Sequence, residues 1–512
     1  MDTIRLKNIK AFEDTGTIEL KPITIFVGKN SSGKSSLIRF FPVLAQTFQD
    51  DTDVPLSFFG RLIDYGNFEE VVHHSGNTIE FEIPIKYRMN RSYYNIFEYG
   101  WAPYFKSEDP EIRKIIREME FALRKSPLVL NIKLIKHNKK LTVSNLKIFN
   151  DEITFVEIKR STRNQYKIFL KLNDYGFDHS LKTRLDFYRF IPIIIPFNNQ
   201  LKKKILDSVF NPKNINEMNK KTIAGYFKDK KPLREFSDDH KKIISDIKYS
   251  FTLLTLIENL FTIIRRDLED FSNNMQYIGP FRNNPERVYR DPESNFSEVG
   301  TAGENTIMLL RRSQQNRSNT LKNVSNWLYD TMGLKIKIED IGQNSNLFKV
   351  LIYAENADPG DNIKDVGYGI SQVLPIVTQL YTLPKIRPHS EHNSKMYIIE
   401  QPELHLHPAA QSSLADLFVN KAVSDRRSKF LIETHSEHLI RKLQVLIADP
   451  DVKISANDVA IYYIDKNSSD PLCKMDLTEY GQFTKKWPTG FFDESYNLSK
   501  KLLKARAKGD IK

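Results

Sequence analysis

At 512 residues the chain is too long for one ordinary core of roughly 100 to 200 residues, so two or three lobes are expected; 40% hydrophobic and 27% charged residues exclude disorder as the default. Its single cysteine, Cys473, excludes an internal disulfide and a cysteine zinc site and fits a reducing cytosol, so any metal must come through oxygen or histidine. A net charge of +12 favours contact with polyanions, with a merely solvated lysine-rich face as the bland alternative.

The first ten residues alternate apolar and charged side chains and carry no secretory signal, so a cytoplasmic location is expected. Residues 4–26 read as short alternating strands, with Leu6, Ile9, Ile18 and Leu20 as apolar members and Gly16 at a turn. The apolar run 23–27 then ends in glycine, and 36–47 has helical apolar spacing, giving the order strand, glycine loop, helix. Residues 107–125 read as a charged helix. Between 128 and 172 the runs 129–135, 141–148, 153–158 and 166–172 alternate as an antiparallel meander would.

Residues 201–246 are lysine-rich and helical in pattern, and 249–271 predict a long amphipathic helix with Arg265 and Arg266 near its end. No heptad repeat is sustained enough for an extended coiled coil. The apolar stretches 190–197 and 251–264 fall short of the roughly 20 residues that span a bilayer, so no membrane segment is expected. From Tyr277 onward glycine, asparagine and proline punctuation marks another lobe, and the basic tail beyond Ser499 is expected to fray. The expected division is an N-terminal lobe 1–87, an insert 88–275 and a C-terminal lobe 276–512.

Gly28-Lys29-Asn30-Ser31-Ser32-Gly33-Lys34-Ser35 matches the P-loop pattern in full. Glycines let backbone N–H groups turn inward around phosphates, Lys34 neutralises the β and γ phosphates, and the Ser35 hydroxyl ligates Mg²⁺. The helix that begins there, with Ser36 in its first turn, directs its positive end at the anion. A glycine-serine linker is the competing reading. The motif predicts ATP and Mg²⁺ as cofactors. A second signal is the apolar strand Met396-Tyr397-Ile398-Ile399 ending in Glu400-Gln401-Pro402-Glu403; a carboxylate at that end can hold the Mg²⁺ water shell opposite Ser35.

In this order the motifs resemble the ABC ATPase heads of RecF and SMC proteins. More closely they resemble the AAA-family prokaryotic ATPases of the overcoming-lysogenisation-defect class, including Septu-like subunits of antiphage systems. The resemblance runs from LKNIKAFEDTGTIELKPITIFVGKNSSGKSS through DVGYGISQVLPIV, IIEQPELHLHPAAQ and FLIETHSEHLI to WPTGFFDE, and does not cover residues 88–274. It implies an α/β, SMC-head-like P-loop ATPase of two lobes with a compact mixed α/β insert.

By that resemblance Gly367, Tyr368, Gly369, Ile370, Ser371 and Gln372 occupy the signature loop that reaches the γ-phosphate held by a second protomer, with Gly369, Ser371 and Gln372 as contacts. A glycine-rich loop opening a core helix is the alternative. His435 matches the switch histidine, and His405 and His407 resemble the loop that crosses the dimer; read alone they are a His-x-His pair. Arg282, in Tyr277-Ile278-Gly279-Pro280-Phe281-Arg282, is a phosphate-region or interface residue or a turn arginine. Trp487, Phe491 and Phe492 form an aromatic cluster that either caps the core or docks a partner.

ABC proteins follow the metal-binding acid with a glutamate that activates water, and here Gln401 takes that place. An amide cannot accept the proton, although it can orient a water, and Glu403 is the remaining acid. The expected catalytic set is therefore Glu400, Gln401, Glu403 and His435, with slow turnover and ATP acting as a clamp for a homodimer or higher homo-oligomer. The expected partner is a separate nuclease or toxin effector in antiphage defence. A DNA-repair or chromosome-maintenance ATPase clamping nucleic acid is the alternative, and a transporter subunit is disfavoured by the long insert.

Overall fold

The computed structural model describes residues 1–85, 126–151, 154–162, 165–172, 175–183, 185–193, 237–291, 296–342, 346–354, 359–382, 395–468, 470–488 and 494–509. The helix expected at 107–125, most of 201–246, and Phe491 with Phe492 lie outside them. The chain divides into two compact units interleaved in sequence. One takes Met1–Ile9, Gly16–Ile18 and Val43–Ser272; the other takes Lys10–Thr15, Glu19–Pro42 and Asn273–Lys512. Residues 43–87, expected with the N-terminal lobe, thus group with the insert.

Strand pairing accounts for that grouping. The strand Thr78–Ile85 pairs antiparallel with Thr3–Ile9 on one side and Leu128–His137 on the other. The sheet continues through Lys140–Phe149, Thr154–Thr162, Gln165–Leu172 and Tyr175–Thr183, each antiparallel to the last. This is the expected meander, with one strand more. Ile79, Phe81, Ile83 and Ile85 are buried, while the alternate Glu80 meets Lys7 of the neighbouring strand at 3.2 Å, the period-two pattern of a sheet with one wet face. At the first hairpin Asn138 and Lys139 have φ 50° and 63°, as a two-residue turn matching the strand twist requires. The predicted amphipathic helix is longer than expected, Asp238–Asn274, 37 residues, burying Ile257, Leu260, Phe261, Ile264 and Leu268 at helical spacing.

The other unit holds, among the described residues, a six-stranded sheet in the order Met275–Ile278, Met396–Glu400, Lys429–Glu433, Ile23–Gly28, Val459–Ile464, Leu472–Lys474. All neighbours are parallel except the last pair. The inner strands Ile23–Gly28, Met396–Glu400 and Val459–Ile464 are buried along their whole length, which is why they read as unbroken apolar runs rather than alternating ones. Helices Tyr368–Tyr381, Pro408–Ser424 and Glu437–Ala448 contribute Val373, Leu414, Phe418 and Leu443 to a core shared with Ile25, Ile399 and Ile432. A smaller sheet of Tyr289–Arg290, Leu334–Asp340, Leu347–Ala354 and Asp361–Asn362 backs the helices Thr306–Gln315 and Thr320–Met332. The fold class is α/β.

Parallel strands present their carboxyl ends on one side of a sheet, where ligands of such folds bind. Here those ends carry Gly28, Glu400 and Glu433. The tail expected to fray is helical over Glu494–Gly509; Leu502, Leu503, Lys504 and Ala505 are all strong helix formers. Trp487 lies tilted against Phe483 and Tyr463, ring centroids 4.9 and 5.8 Å apart, so this member of the aromatic cluster packs inward.

Candidate nucleotide site

The strand Ile23–Gly28 leads into the P-loop, whose glycines are fixed by geometry. Gly28 has φ 150° and a side-chain carbon there would lie 2.3 Å from the Ile464 carbonyl oxygen. Gly33 has φ 106° and would meet Ala11 and Phe12; no residue with a Cβ suits either place. Lys29, Asn30 and Ser31 form the exposed rim of the loop, and Ser32 is buried. The Lys34 side chain is buried and its ammonium donates to the carbonyls of Gly28 at 3.1 Å and Lys29 at 2.8 Å. Burial lowers its pKa, opposed by the nearby Glu433 and Glu403 carboxylates.

The helix begun at Lys34 stops at Ile38 and a new one runs Phe40–Gln49. Pro42 explains the break: it has no N–H for the Ile38 carbonyl, and its ring crowds that oxygen. Arg39, at the junction, turns its guanidinium onto Glu400, Nε to Oε1 and Nη2 to Oε2 both at 2.8 Å. The Tyr277 hydroxyl donates to the same Oε1 at 2.7 Å. Hydrogen bonding to Glu400 raises the Arg39 pKa, and burial beside Glu400 raises that of Tyr277.

The sequence expectation sets Glu400 across from Ser35. The pairing differs: the Ser35 hydroxyl donates to Glu433 Oε1 at 2.8 Å, because the strand Lys429–Glu433 lies between the Glu400 strand and the P-loop strand. Glu433 is 1% exposed. Burial, then the charge of Glu400, pushes its pKa up to about 7. Its Oε2 is buried and accepts no hydrogen bond.

Past Glu400 the chain turns through Gln401, whose φ is 46°. Its N–H donates to the Glu433 carbonyl at 2.8 Å, and Arg282 donates to the carbonyls of Glu400 at 2.8 Å and Gln401 at 3.4 Å. Arg282 is therefore a buried clamp on this turn, not an exposed turn arginine, and burial pulls its pKa down to about 10. Glu403 accepts the His435 backbone N–H at 2.6 Å; burial raises its pKa, and its Oε2 also lacks a hydrogen bond. His435 is half-buried, and burial, reinforced by the positive Lys34, depresses its pKa to about 4, so its imidazole is neutral near pH 7.

The signature segment opens the helix Tyr368–Tyr381 with Gly367 at its N-cap. Ser371 and Gln372 are 8% and 7% exposed, and the Ser371 hydroxyl donates to the Tyr368 carbonyl at 2.8 Å. Their side chains are thus held inside, and the loop presents Gly367, Gly369 backbone and Tyr368, which is 63% exposed. Gly369 packs on the next motif: a Cβ there would lie 2.7 Å from the His405 carbonyl oxygen. His405 (φ 60°) sets its ring 6.0 Å from that of Tyr368. His407 caps the helix Pro408–Ser424 by accepting the Ala409 N–H at 3.4 Å. Between these segments Val366, Ile370, Leu406 and Ala410 line a cavity of about 450 Å³. Among the described residues no group of three or more His, Cys, Asp or Glu is arranged to hold a metal unaided.

A model of the AAA ATPase domain family matches residues 1–440. The chain belongs to the AAA ATPase domain family. A second model, a domain of unknown function (DUF3696), matches residues 454–502. Similar solved structures include an Smc head domain from Pyrococcus furiosus bound to the C-terminal domain of ScpA, 11% identical, covering 93% of this chain and 96% of that one at a TM-score of 0.36. Another is an SMC head domain from Thermotoga maritima, 9% identical, covering 93% and 98% at a TM-score of 0.32. No curated protein matches the chain.

Membership of this ATPase family implies a nucleotide and Mg²⁺, and the residues fit them. A looped lysine with its ammonium against carbonyls, a hydroxyl beside a carboxylate, and buried oxygens on Ser32, Glu403 and Glu433 that make no hydrogen bond together form a set a magnesium-bound triphosphate would satisfy.

Arg39 and Tyr277 are partners of Glu400 that sequence reasoning does not single out. Arg39 falls one helical turn after Ser35, a spacing that places the two on one face. Glu433 lies inside the histidine motif Glu433-Thr434-His435-Ser436. An acid closing the apolar run Phe430-Leu431-Ile432 was the available signal, since such acids are seldom buried without a role.

Proposed function

We propose that the chain is an ATP-binding ATPase in which nucleotide, held by Gly28 to Ser36, clamps two copies together and turns over slowly, and that the clamped form controls a separate nuclease effector in antiphage defence. The observation that carries the nucleotide site is the meeting of Ser35 with Glu433 at 2.8 Å, across 398 residues of chain. It brings the P-loop hydroxyl to the carboxyl ends of the parallel strands.

Bound Mg²⁺ would neutralise phosphate charge and polarise the terminal phosphoryl group. The chain's own residues do the rest. Lys34, on leaving its two loop carbonyls, has its ammonium ready for the phosphate oxygens. His435, neutral and held through its N–H by Glu403, can donate or accept one hydrogen bond at the terminal phosphate without adding charge. Gln401 can orient a water but cannot take its proton, which supports slow turnover. The exposed Tyr368 and the glycines beside it support a signature surface that meets the nucleotide of a second copy.

The test is light scattering and effector capture with the wild type, Lys34→Ala and Glu403→Gln, with and without ATP. Assembly of the wild type on ATP, lost in Lys34→Ala, is expected. A mass indifferent to ATP would sink the clamp, and an unchanged ATP affinity in Lys34→Ala would sink the site. The net charge of +12 favours one further reading, a clamp on duplex DNA; steep loss of DNA affinity between low and physiological salt, in the absence of any effector, would select it.

A further inference from the structure

We propose that Glu433, and not Glu400, is the carboxylate that faces the nucleotide's divalent cation, and that Glu400 serves as the anchor of the P-loop helix. The inference rests on the nucleotide site proposed above and assigns the metal side of it.

A carboxylate that holds Mg²⁺ or its water shell needs an oxygen free to do so, close to the P-loop hydroxyl. Glu400 is already engaged on both oxygens: Arg39 takes Oε1 and Oε2 at 2.8 Å each, and Tyr277 adds a third bond at 2.7 Å. The guanidinium also opposes its charge. Glu433 has the opposite character. One oxygen touches Ser35 at 2.8 Å, while the other is buried and makes no hydrogen bond. A buried acceptor left unbonded keeps its desolvation cost uncompensated, and a bound cation or one of its waters would remove that cost.

Chain order explains how the roles come to be exchanged. The strand ending in Glu433 is hydrogen-bonded directly to the P-loop strand, Glu433 opposite Phe26, whereas the Glu400 strand is one position further out. Arg39 reaches over that gap and ties the end of the P-loop helix to the outer strand. A cation at Glu400 would first have to displace this guanidinium from a carboxylate that is 1% exposed.

The experiment titrates Mg²⁺ into a fluorescent, non-hydrolysable ATP analogue bound to full-length wild type, Glu433→Gln and Glu400→Gln. Expected is metal-free binding in Glu433→Gln as in the wild type, with the Mg²⁺ midpoint raised about 10- to 100-fold. Glu400→Gln should keep the wild-type midpoint while lowering the unfolding midpoint in urea. The reverse pattern overturns the assignment, and so does a wild-type midpoint in Glu433→Gln. If the wild type binds no analogue with or without metal, the nucleotide reading itself fails, a result distinct from either.

Should Glu433→Gln not fold, wild-type crystals with the analogue and Mn²⁺ decide the matter by anomalous scattering. A Mn²⁺ peak next to Ser35 Oγ and Glu433 supports the assignment. A peak against Glu400, with Arg39 turned away, overturns it.

Discussion

Arg39 holds Glu400 through two parallel hydrogen bonds of 2.8 Å each, linking the residue that ends the P-loop helix to the residue that ends a strand 361 positions later. The carboxylate is 1% exposed and the arginine side chain 31%. In such a pair the desolvation already suffered by the acid makes its partner hard to remove.

Replacing Arg39 by alanine should therefore destabilise this unit by about 3 to 5 kcal/mol, the loss usual when one member of a buried pair is deleted. Arg39→Lys should recover only part, since an ammonium cannot match both oxygens. The double change Arg39→Met with Glu400→Gln should unfold later than Arg39→Ala, because it leaves no stranded charge. Urea unfolding followed by the fluorescence of Trp327 and Trp487, both in this unit, reads all three. An Arg39→Ala midpoint equal to that of the wild type would show that the pair is ornamental.

Gln401 invites the opposite kind of change. It follows Glu400 at the end of the strand, with φ 46° and its backbone clamped by Glu433 and Arg282, so a glutamate would enter the same backbone. If hydrolysis is slow because no base stands there, Gln401→Glu should raise single-turnover hydrolysis by about 100-fold, the low end of what a positioned base supplies. Burst measurements with radiolabelled ATP would detect it. An unchanged rate would place the base elsewhere, and Glu403, tied by its Oε1 to the His435 N–H, would be the next residue to test.

The sequence showed the pieces of this site far better than their pairing. The P-loop was legible because its glycines answer to steric rules that allow few substitutes, as the 2.3 Å approach of Gly28 to Ile464 makes plain. The meander from Leu128 onward was legible because period-two alternation survives wherever one sheet face is wet. Strand order was not, since nothing in a buried apolar run says which neighbour it takes; the direct contact of Ser35 with Glu433 is therefore not visible in the sequence. The burial of Ser371 and Gln372 was hidden likewise. A helix N-terminus has the same sequence whether its small polar residues turn outward or, like Ser371, bond back to the preceding turn. The grouping of residues 43–87 with the insert rests on contacts such as the pairing of Thr78–Ile85 with Leu128–His137, made over a long separation.

Glu258 gives a prediction that is independent of nucleotide. It interrupts the apolar stretch of the helix Asp238–Asn274, next to buried Ile257 and close to Leu260 and Phe261. Burial raises its pKa from the ordinary 4.5 to about 7, with Arg265 pulling the other way. Below pH 4.5 the side chain is neutral folded or unfolded and exacts no penalty. As pH rises towards 7 the unfolded chain releases its proton first, so the folded state, which holds the proton longer, loses relative stability until both are ionised. Because the group is only half-buried, solvent screening reduces the full linkage energy to about 1 to 2 kcal/mol. Glu258→Gln should thus match the wild type in urea at pH 4.5 and exceed it at pH 8. A variant less stable than the wild type at pH 8 would mean that the ionised carboxylate is stabilised by Arg265 more than burial opposes it.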